Sequence, residues 1–259
     1  MDAIPLIMPC LNRFDMFTEA IETVDTPILP IVIDQWRGNR GVSGAWNEGM
    51  KRVLNSNMRY AIVSNDDVKF APGAMRKIYN TLVETGAALV SPTQRRRPLQ
   101  LTGVDHDTLR EGADFFCFAI DCEQIVSSAG WFDQNIFPAY FEDNDMHRRM
   151  LLSGLTSYIH EGCEVFHEGS KTQNLHRSKP VTDNMAFEEN KAYYKLKWGD
   201  YPGKEYYKTP FNHPELTVRD WNGSMLLDEF EATTSAQKIF DLNNWQVGEV
   251  APQISFETI

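Results

Sequence analysis

Three short polar segments carry side chains able to do chemistry. Ser64-Asn65-Asp66-Asp67-Val68 follows the apolar run that starts at Tyr60. Two adjacent carboxylates repel each other unless they are solvated or share a cation, and at a strand end they can hold one divalent ion against a ligand's phosphates. The same residues also suit a capping turn ahead of Pro72. The second segment, Glu142-Asp143-Asn144-Asp145-Met146-His147-Arg148-Arg149, opens a helix-like stretch. Acids in a first turn complement the helix dipole. Three carboxylates in so short a stretch exceed what capping requires, and an Asp at a helix start, open to a cleft, can act as a general base. The third, Val165-Phe166-His167-Glu168-Gly169-Ser170, places a His after an apolar pair, which suits a core or loop residue as readily as a ligand.

These segments need a scaffold, and the first half of the chain supplies its pattern. Short apolar runs at Ile4 to Met8, Ile28 to Ile33, Tyr60 to Ser64 and Ala87 to Val90 read as strands. Between them, Phe14 to Thr23, Gly44 to Leu54 and the stretch from Pro72 to Glu84 have helical spacing. Strand–helix alternation of this kind predicts an α/β fold with a mainly parallel sheet covered by helices. Ligands of such sheets bind beyond the carboxyl ends of the strands, which singles out Pro9, Asp34 and Asn65 to Asp67. Beyond Pro92 the pattern predicts a polar loop over 94–107 with Arg95-Arg96-Arg97. It then predicts a strand over 114–121, helices over 123–128, 142–152 and 183–197, and two short strands at 157–160 and 165–166. Residues 200–214 read as a loop rich in Pro and Gly, and 216–259 show no clear pattern.

Composition narrows the function classes. Forty-two percent apolar residues suffice for a core, and a net charge of −11 has the wrong sign for gripping phosphate backbones by bulk charge. The stretch 169–199 is locally basic, with six Lys or Arg against three acids, leaving room for an anionic acceptor. Arg95-Arg96-Arg97 adds to that, since Arg suits bidentate phosphate contacts. No membrane span and no leader segment are expected, and four scattered cysteines predict free thiols in a reducing cytoplasm, bacterial or of a virus-infected host.

The order of the segments resembles the family 2 glycosyltransferases of the GT-A fold. Pro9-Cys10-Leu11-Asn12-Arg13 is similar to the end of the family's opening strand, and Ile31-Val32-Ile33-Asp34 to the second strand with its nucleobase-facing Asp. Asn39, Gly41, Asn47 and Gly49 match an Asn-x-Gly repeat, and Asn65-Asp66-Asp67-Val68 aligns with the metal motif. Gly130-Trp131-Phe132-Asp133, Glu142-Asp143-Asn144-Asp145 with Arg149, and Lys197-Trp198-Gly199 follow in the family's order, and His167 stands 24 residues past Asp143. Asn65 and Gln35 depart from the pattern, having replaced an acid and an Asn. The resemblance spans residues 4–199, taken as one catalytic domain, with 200–259 as a C-terminal extension of unknown role.

What the resemblance implies is an inverting transferase that moves a hexosyl or pentosyl group from a nucleotide-diphosphate donor to an acceptor hydroxyl on a glycan, lipid-linked sugar or protein. It implies Mn²⁺ or Mg²⁺ held by Asp67 and His167. It assigns donor contacts to Pro9, Asn12, Arg13, Asp34, Arg40, Asn47, Asn65 and Asp66, and the base role to Asp143 beside Glu142. A hydroxylated base in DNA, as used by some viral enzymes, is an alternative acceptor that the net charge disfavours. A non-catalytic nucleotide-sugar binding protein of the same fold is a further alternative.

Overall fold

A computed structural model describes residues 2–11, 13–35, 38–95, 106–167 and 180–219. Its strands and helices run β1 (Ile4–Cys10), α1 (Phe14–Glu22), β2 (Ile28–Asp34), α2 (Gly41–Asn55), β3 (Tyr60–Ser64), β4 (Val68–Phe70) and α3 (Ala74–Thr85). They continue with β5 (Leu89–Arg95), β6 (Leu109–Glu111), β7 (Cys117–Asp121), α4 (Cys122–Ser128), α5 (Glu142–Leu152), β8 (Ser157–His167) and α6 (Pro180–Trp198). The chain forms two compact units, one of residues 1–38, 45–125 and 154–178, the other of 39–44, 126–153 and 179–259.

The first unit contains the whole sheet, in the order β2-β1-β3-β7-β5-β8-β4, with β6 paired to β8. Strands β1, β2, β3, β5 and β8 point one way, and β4, β6 and β7 the other. The expected parallel character therefore holds for most strands. The inserted antiparallel β7 makes the sheet mixed, since β7 is joined to β3 and β5 by antiparallel ladders.

Strand alternation sorts the core into two faces. Ile4, Leu6 and Met8 of β1, Ile62 of β3 and Ala119 of β7 join Ala20 of α1 and Ala74, Met75, Ile78 and Leu82 of α3 in one apolar cluster. The alternate residues serve α2 instead. Trp46 meets Phe118 edge-on at 5.3 Å, and Gly49 lies so near β1 that a Cβ there would fall 2.2 Å from Ile7 Cγ2. The second Gly of the Asn-x-Gly repeat thus has a packing reason: only a residue without a side chain lets α2 come this close.

Three local expectations are corrected. Gln94 and Arg95 belong to β5, not to a loop, and pair with Val165 and Phe166. The two short strands expected near residues 157 and 165 are one strand, β8, whose pairing shifts register between Pro92 and Thr93. This bulge carries Gly162, where a Cβ would sit 1.9 Å from His106 O. Strands β4 and β6, three residues each, were not expected at all, because so short a run shows no periodicity.

In the second unit, residues 200–219 pack on α5 and α6. Tyr207 N–H donates to Trp198 O at 3.1 Å, Arg148 donates to Tyr207 O at 2.8 Å, and the Tyr194 hydroxyl bonds Glu205. Residues 220–259 of the expected extension lie outside the described residues. Among the described residues, no helix is long and apolar enough to cross a membrane.

Candidate active site

In the first unit, the parallel order β2-β1-β3 gathers three strand ends. Asp34 closes β2 opposite Cys10 of β1, and Gln35 N–H donates to Cys10 O at 3.0 Å. Pro9 is half-buried beside them, and Asn65 follows β3, its N–H donating to Phe116 O at 2.9 Å. Burial pushes the Cys10 thiol up to about 11, a hydrogen bond from Arg13 opposes this, and the charges of Asp66 and Asp34 add to the rise. Asp34 and Asp66 therefore act on the same end of β1. Arg13 is the N-cap residue of α1 and is engaged by Asp15 through two bonds of 2.8 and 2.7 Å. Asn47 is buried in α2, Asn12 lies outside the described residues, and so do Arg96, Arg97 and Glu168 to Ser170. Arg40 is exposed and belongs to the second unit.

Strand β4 completes this arrangement. It pairs antiparallel with the end of β8, placing Val68 opposite His167. Asp67, one residue earlier, therefore meets the imidazole, with Asp67 Oδ1 and His167 Nε2 3.0 Å apart. The ring lies flat on Phe116, centroids 4.9 Å apart and planes within 11°. Its other nitrogen, Nδ1, is 3.0 Å from Gln94 Nε2. Asp66 is buried, Oδ2 has no hydrogen-bond partner, and desolvation, then the charge of Asp67, pushes its carboxyl up to about 7. A buried carboxylate oxygen with no partner is costly unless a cation or donor reaches it.

These residues fit a divalent ion. Carboxylate and imidazole are suitable donors for Mn²⁺, and a cation of this class commonly binds one or two carboxylates and completes its shell with phosphate and water. Among the described residues no group of three His, Cys, Asp or Glu side chains stands ready to hold a metal without such help.

The second unit gives the acids of the helix start two different surroundings. Asp145 is fully buried and takes Arg149 Nε at 2.9 Å, Lys197 Nζ at 2.7 Å and the Trp198 indole N–H at 2.8 Å. Lys197 also meets Asp133 at 2.6 Å, where the Tyr193 hydroxyl donates at 2.8 Å. Burial would raise the Asp145 carboxyl, but Arg149 and Lys197 outweigh it and hold it below its ordinary value. Two carboxylates and two cations form a neutral buried cluster, so four residues that matched the sequence pattern are structural.

Glu142 and Asp143 stand outside this cluster. Asp143 is half-buried and accepts the Asn144 N–H at 2.7 Å. Burial raises its carboxyl, with Asn144 and the charge of His147 opposing. Neighbouring acids are not the main cause, and Asp145 is offset by Arg149 and Lys197 within its cluster. His147, one helical turn on, was not singled out, although its i+4 spacing from Asp143 is legible in the sequence. Gln94 and Phe116 had no such signal.

The backbone before Glu142 is strained. Tyr140 and Phe141 have φ of +76° and +75°, in the left-handed region that bulky residues avoid. Asn190 of α6, 1% exposed, holds this loop, donating to Ala139 O at 2.9 Å and Tyr140 O at 3.3 Å.

Glu142 provides a pH test. Its carboxyl is raised by burial and then by the Asp143 charge, so the folded state holds its proton more tightly than the unfolded chain. Stability from this group is fully present below the ordinary carboxylate pKa and is lost as pH rises through the folded value into the neutral range. Glu142→Gln is expected to flatten the fall of melting temperature over that window. A slope identical to the parent's would assign the pH dependence elsewhere.

No protein-family model and no curated protein sequence matches the chain. Among solved structures, S. aureus TarS 1–349 aligns with a TM-score of 0.51 at 10% identity, covering 75% of this chain and 65% of that one. Its complex with UDP-GlcNAc aligns with a TM-score of 0.51 at 11% identity, covering 75% and 66%. The chain has the GT-A fold. A197 from STIV aligns with a TM-score of 0.44 at 12% identity, covering 64% of this chain and 85% of that one. The chain spans about two thirds of the TarS structures it matches, and at these identities the likeness is one of GT-A architecture.

Proposed function

We propose that this chain is a metal-dependent, inverting glycosyltransferase that moves a sugar from a nucleotide-diphosphate donor to an acceptor hydroxyl. The observation that carries the reading is the 3.0 Å approach of Asp67 and His167 on adjoining strands, beside the unpartnered Asp66 Oδ2. The GT-A sheet ends that gather Pro9, Arg13, Asp34 and Asn65 give a nucleotide a surface on the same unit. The TarS structure holding UDP-GlcNAc makes a UDP-sugar the first donor to test.

Asp67 and His167 would hold Mn²⁺ or Mg²⁺, which when bound supplies Lewis-acid neutralisation of the leaving diphosphate. Asp34 would orient the base of the donor, and Asp66 its ribose or phosphate. Asp143 would take the proton of the acceptor hydroxyl as that oxygen attacks the anomeric carbon opposite the diphosphate, which inverts the configuration. Burial favours this role, since it raises a carboxylate's affinity for protons. The four cysteines are free and buried, in keeping with a reducing cytoplasm as the place of reaction.

The test is a calorimetric titration of UDP-GlcNAc, then of GDP-, CMP- and dTDP-sugars, at increasing Mn²⁺. Affinity is expected to rise with Mn²⁺ in the parent protein and to lose that rise in Asp67→Ala. An Asp67→Ala variant that responds to Mn²⁺ like the parent removes the ion from this site.

A further inference from the structure

The ring of His167 is fixed on three sides: Asp67 at Nε2, Gln94 at Nδ1 and Phe116 on one face. Gln94 reaches it because the bulge in β8 re-registers the β5–β8 ladder, bringing Gln94 opposite Val165, two residues from His167. The proton positions follow from the partners. An ionised carboxylate only accepts, so Nε2 must carry hydrogen to bond Asp67. The amide nitrogen of Gln94 only donates, so it bonds the Nδ1 it faces when that nitrogen is bare. With the amide turned this way, the arrangement that bonds both neighbours is the tautomer carrying its proton on Nε2.

An ion on Nε2 requires the opposite arrangement. The ligating nitrogen must be bare, and the ring proton must then sit on Nδ1 and find an acceptor. Gln94 provides one by turning its amide over and presenting Oε1. A carboxamide offers both a donor and an acceptor on one terminal plane; Leu offers neither, and ionised Glu only accepts.

We propose that Gln94 is a positioning residue that lets His167 exchange tautomers on ion binding, donating to Nδ1 in the metal-free protein and accepting from it in the loaded one. This rests on the reading of Asp67 and His167 as ion ligands. The proton leaves Nε2 and one is taken up at Nδ1 through solvent, so His167 releases none on balance and Asp67 stays ionised throughout. Ion affinity then depends on a residue that touches neither ion nor substrate, by the roughly 10- to 100-fold typical of partners that orient a metal-binding His.

The test follows the His167 ring nitrogens by long-range ¹H–¹⁵N NMR in the full chain, first metal-free, then with Cd²⁺ and saturating UDP. Cd²⁺ is diamagnetic, and the four cysteines are buried. The proton is expected on Nε2 alone without metal and on Nδ1 with it. In parallel, the Mn²⁺ affinity of Gln94→Leu, read from the electron-spin signal of free Mn²⁺, is expected to fall by about 10- to 100-fold. Gln94→Glu, always able to accept from Nδ1, should retain parental affinity or exceed it. A purely structural role would instead make Glu at least as damaging as Leu. A metal-free ring protonated on Nδ1 or on both nitrogens overturns the proposal, as does a Leu variant with parental Mn²⁺ affinity. Cd²⁺ shifting Nε2 while Nδ1 stays bare defeats the role of Gln94 alone. A ring unmoved by Cd²⁺ in a protein that still binds UDP removes His167 as a ligand and defeats the metal reading itself.

Discussion

Asp143→Asn is expected to bind nucleotide sugar as the parent does and to transfer the sugar about 10²- to 10⁴-fold more slowly, the usual contribution of a positioned general base. The substitution keeps shape and the ability to accept the Asn144 N–H, which Asp143 Oδ1 takes at 2.7 Å. It removes the negative charge and with it the capacity to gain a proton. The strained Tyr140–Phe141 backbone and the Asn190 bonds that hold it lie outside the changed side chain, so the loop should keep its conformation. Donor affinity by calorimetry and transfer by product formation separate the two effects. Near-parental turnover with intact donor binding would take the base role away from Asp143 and direct attention to Glu142, whose Oε2 is buried without a partner.

Lys197→Met is expected to lower stability by about 3–5 kcal/mol, the usual cost of leaving a buried charge without its partner. At roughly 2–4 °C per kcal/mol for a chain of this size, the melting temperature should drop by about 10 °C. Both Asp133 and Asp145 contact this ammonium, at 2.6 and 2.7 Å, and all three side chains are fully buried. Asp145 retains Arg149 and Trp198 in the variant. Asp133 retains the Tyr193 hydroxyl, which cannot neutralise it. Adding Asp133→Asn to Lys197→Met removes one charge of each sign, and the pair should be less destabilised than the two single changes summed. Unfolding of each variant in denaturant measures this. Strict additivity would mean that Lys197 and Asp133 do not stabilise each other, against their 2.6 Å contact.

This cluster also marks where sequence patterns stop being informative. Glu142, Asp143 and Asp145 look alike in the sequence, each an acid in the first turn of α5. Their chemistry diverges because Asp145 turns onto Lys197 and Trp198 of α6, more than fifty residues later, whereas Asp143 does not. Likewise Asp133, read beside Gly130-Trp131-Phe132 as part of a recognition pattern, serves as a counter-ion. Order along the chain marked the segment, and packing set Asp145 apart from Asp143.

The sequence by itself determined the α/β alternation, the polar strand ends at Asp34 and Asn65 to Asp67, and the acidic start of α5. Each of these is written in neighbouring residues, through period-two and period-3.6 patterning and through the carboxylates that break it. It also determined the excess of acid, a plain sum over side chains. Only the tertiary structure decided that Asp67 meets His167, 100 residues further on, because a three-residue strand and a bulged ladder set that register. Only the tertiary structure placed Gln94 on the far nitrogen of the same ring. Local patterns encode which face of an element is buried. The partner a polar side chain finds depends on contacts across the whole sheet, which no local period records.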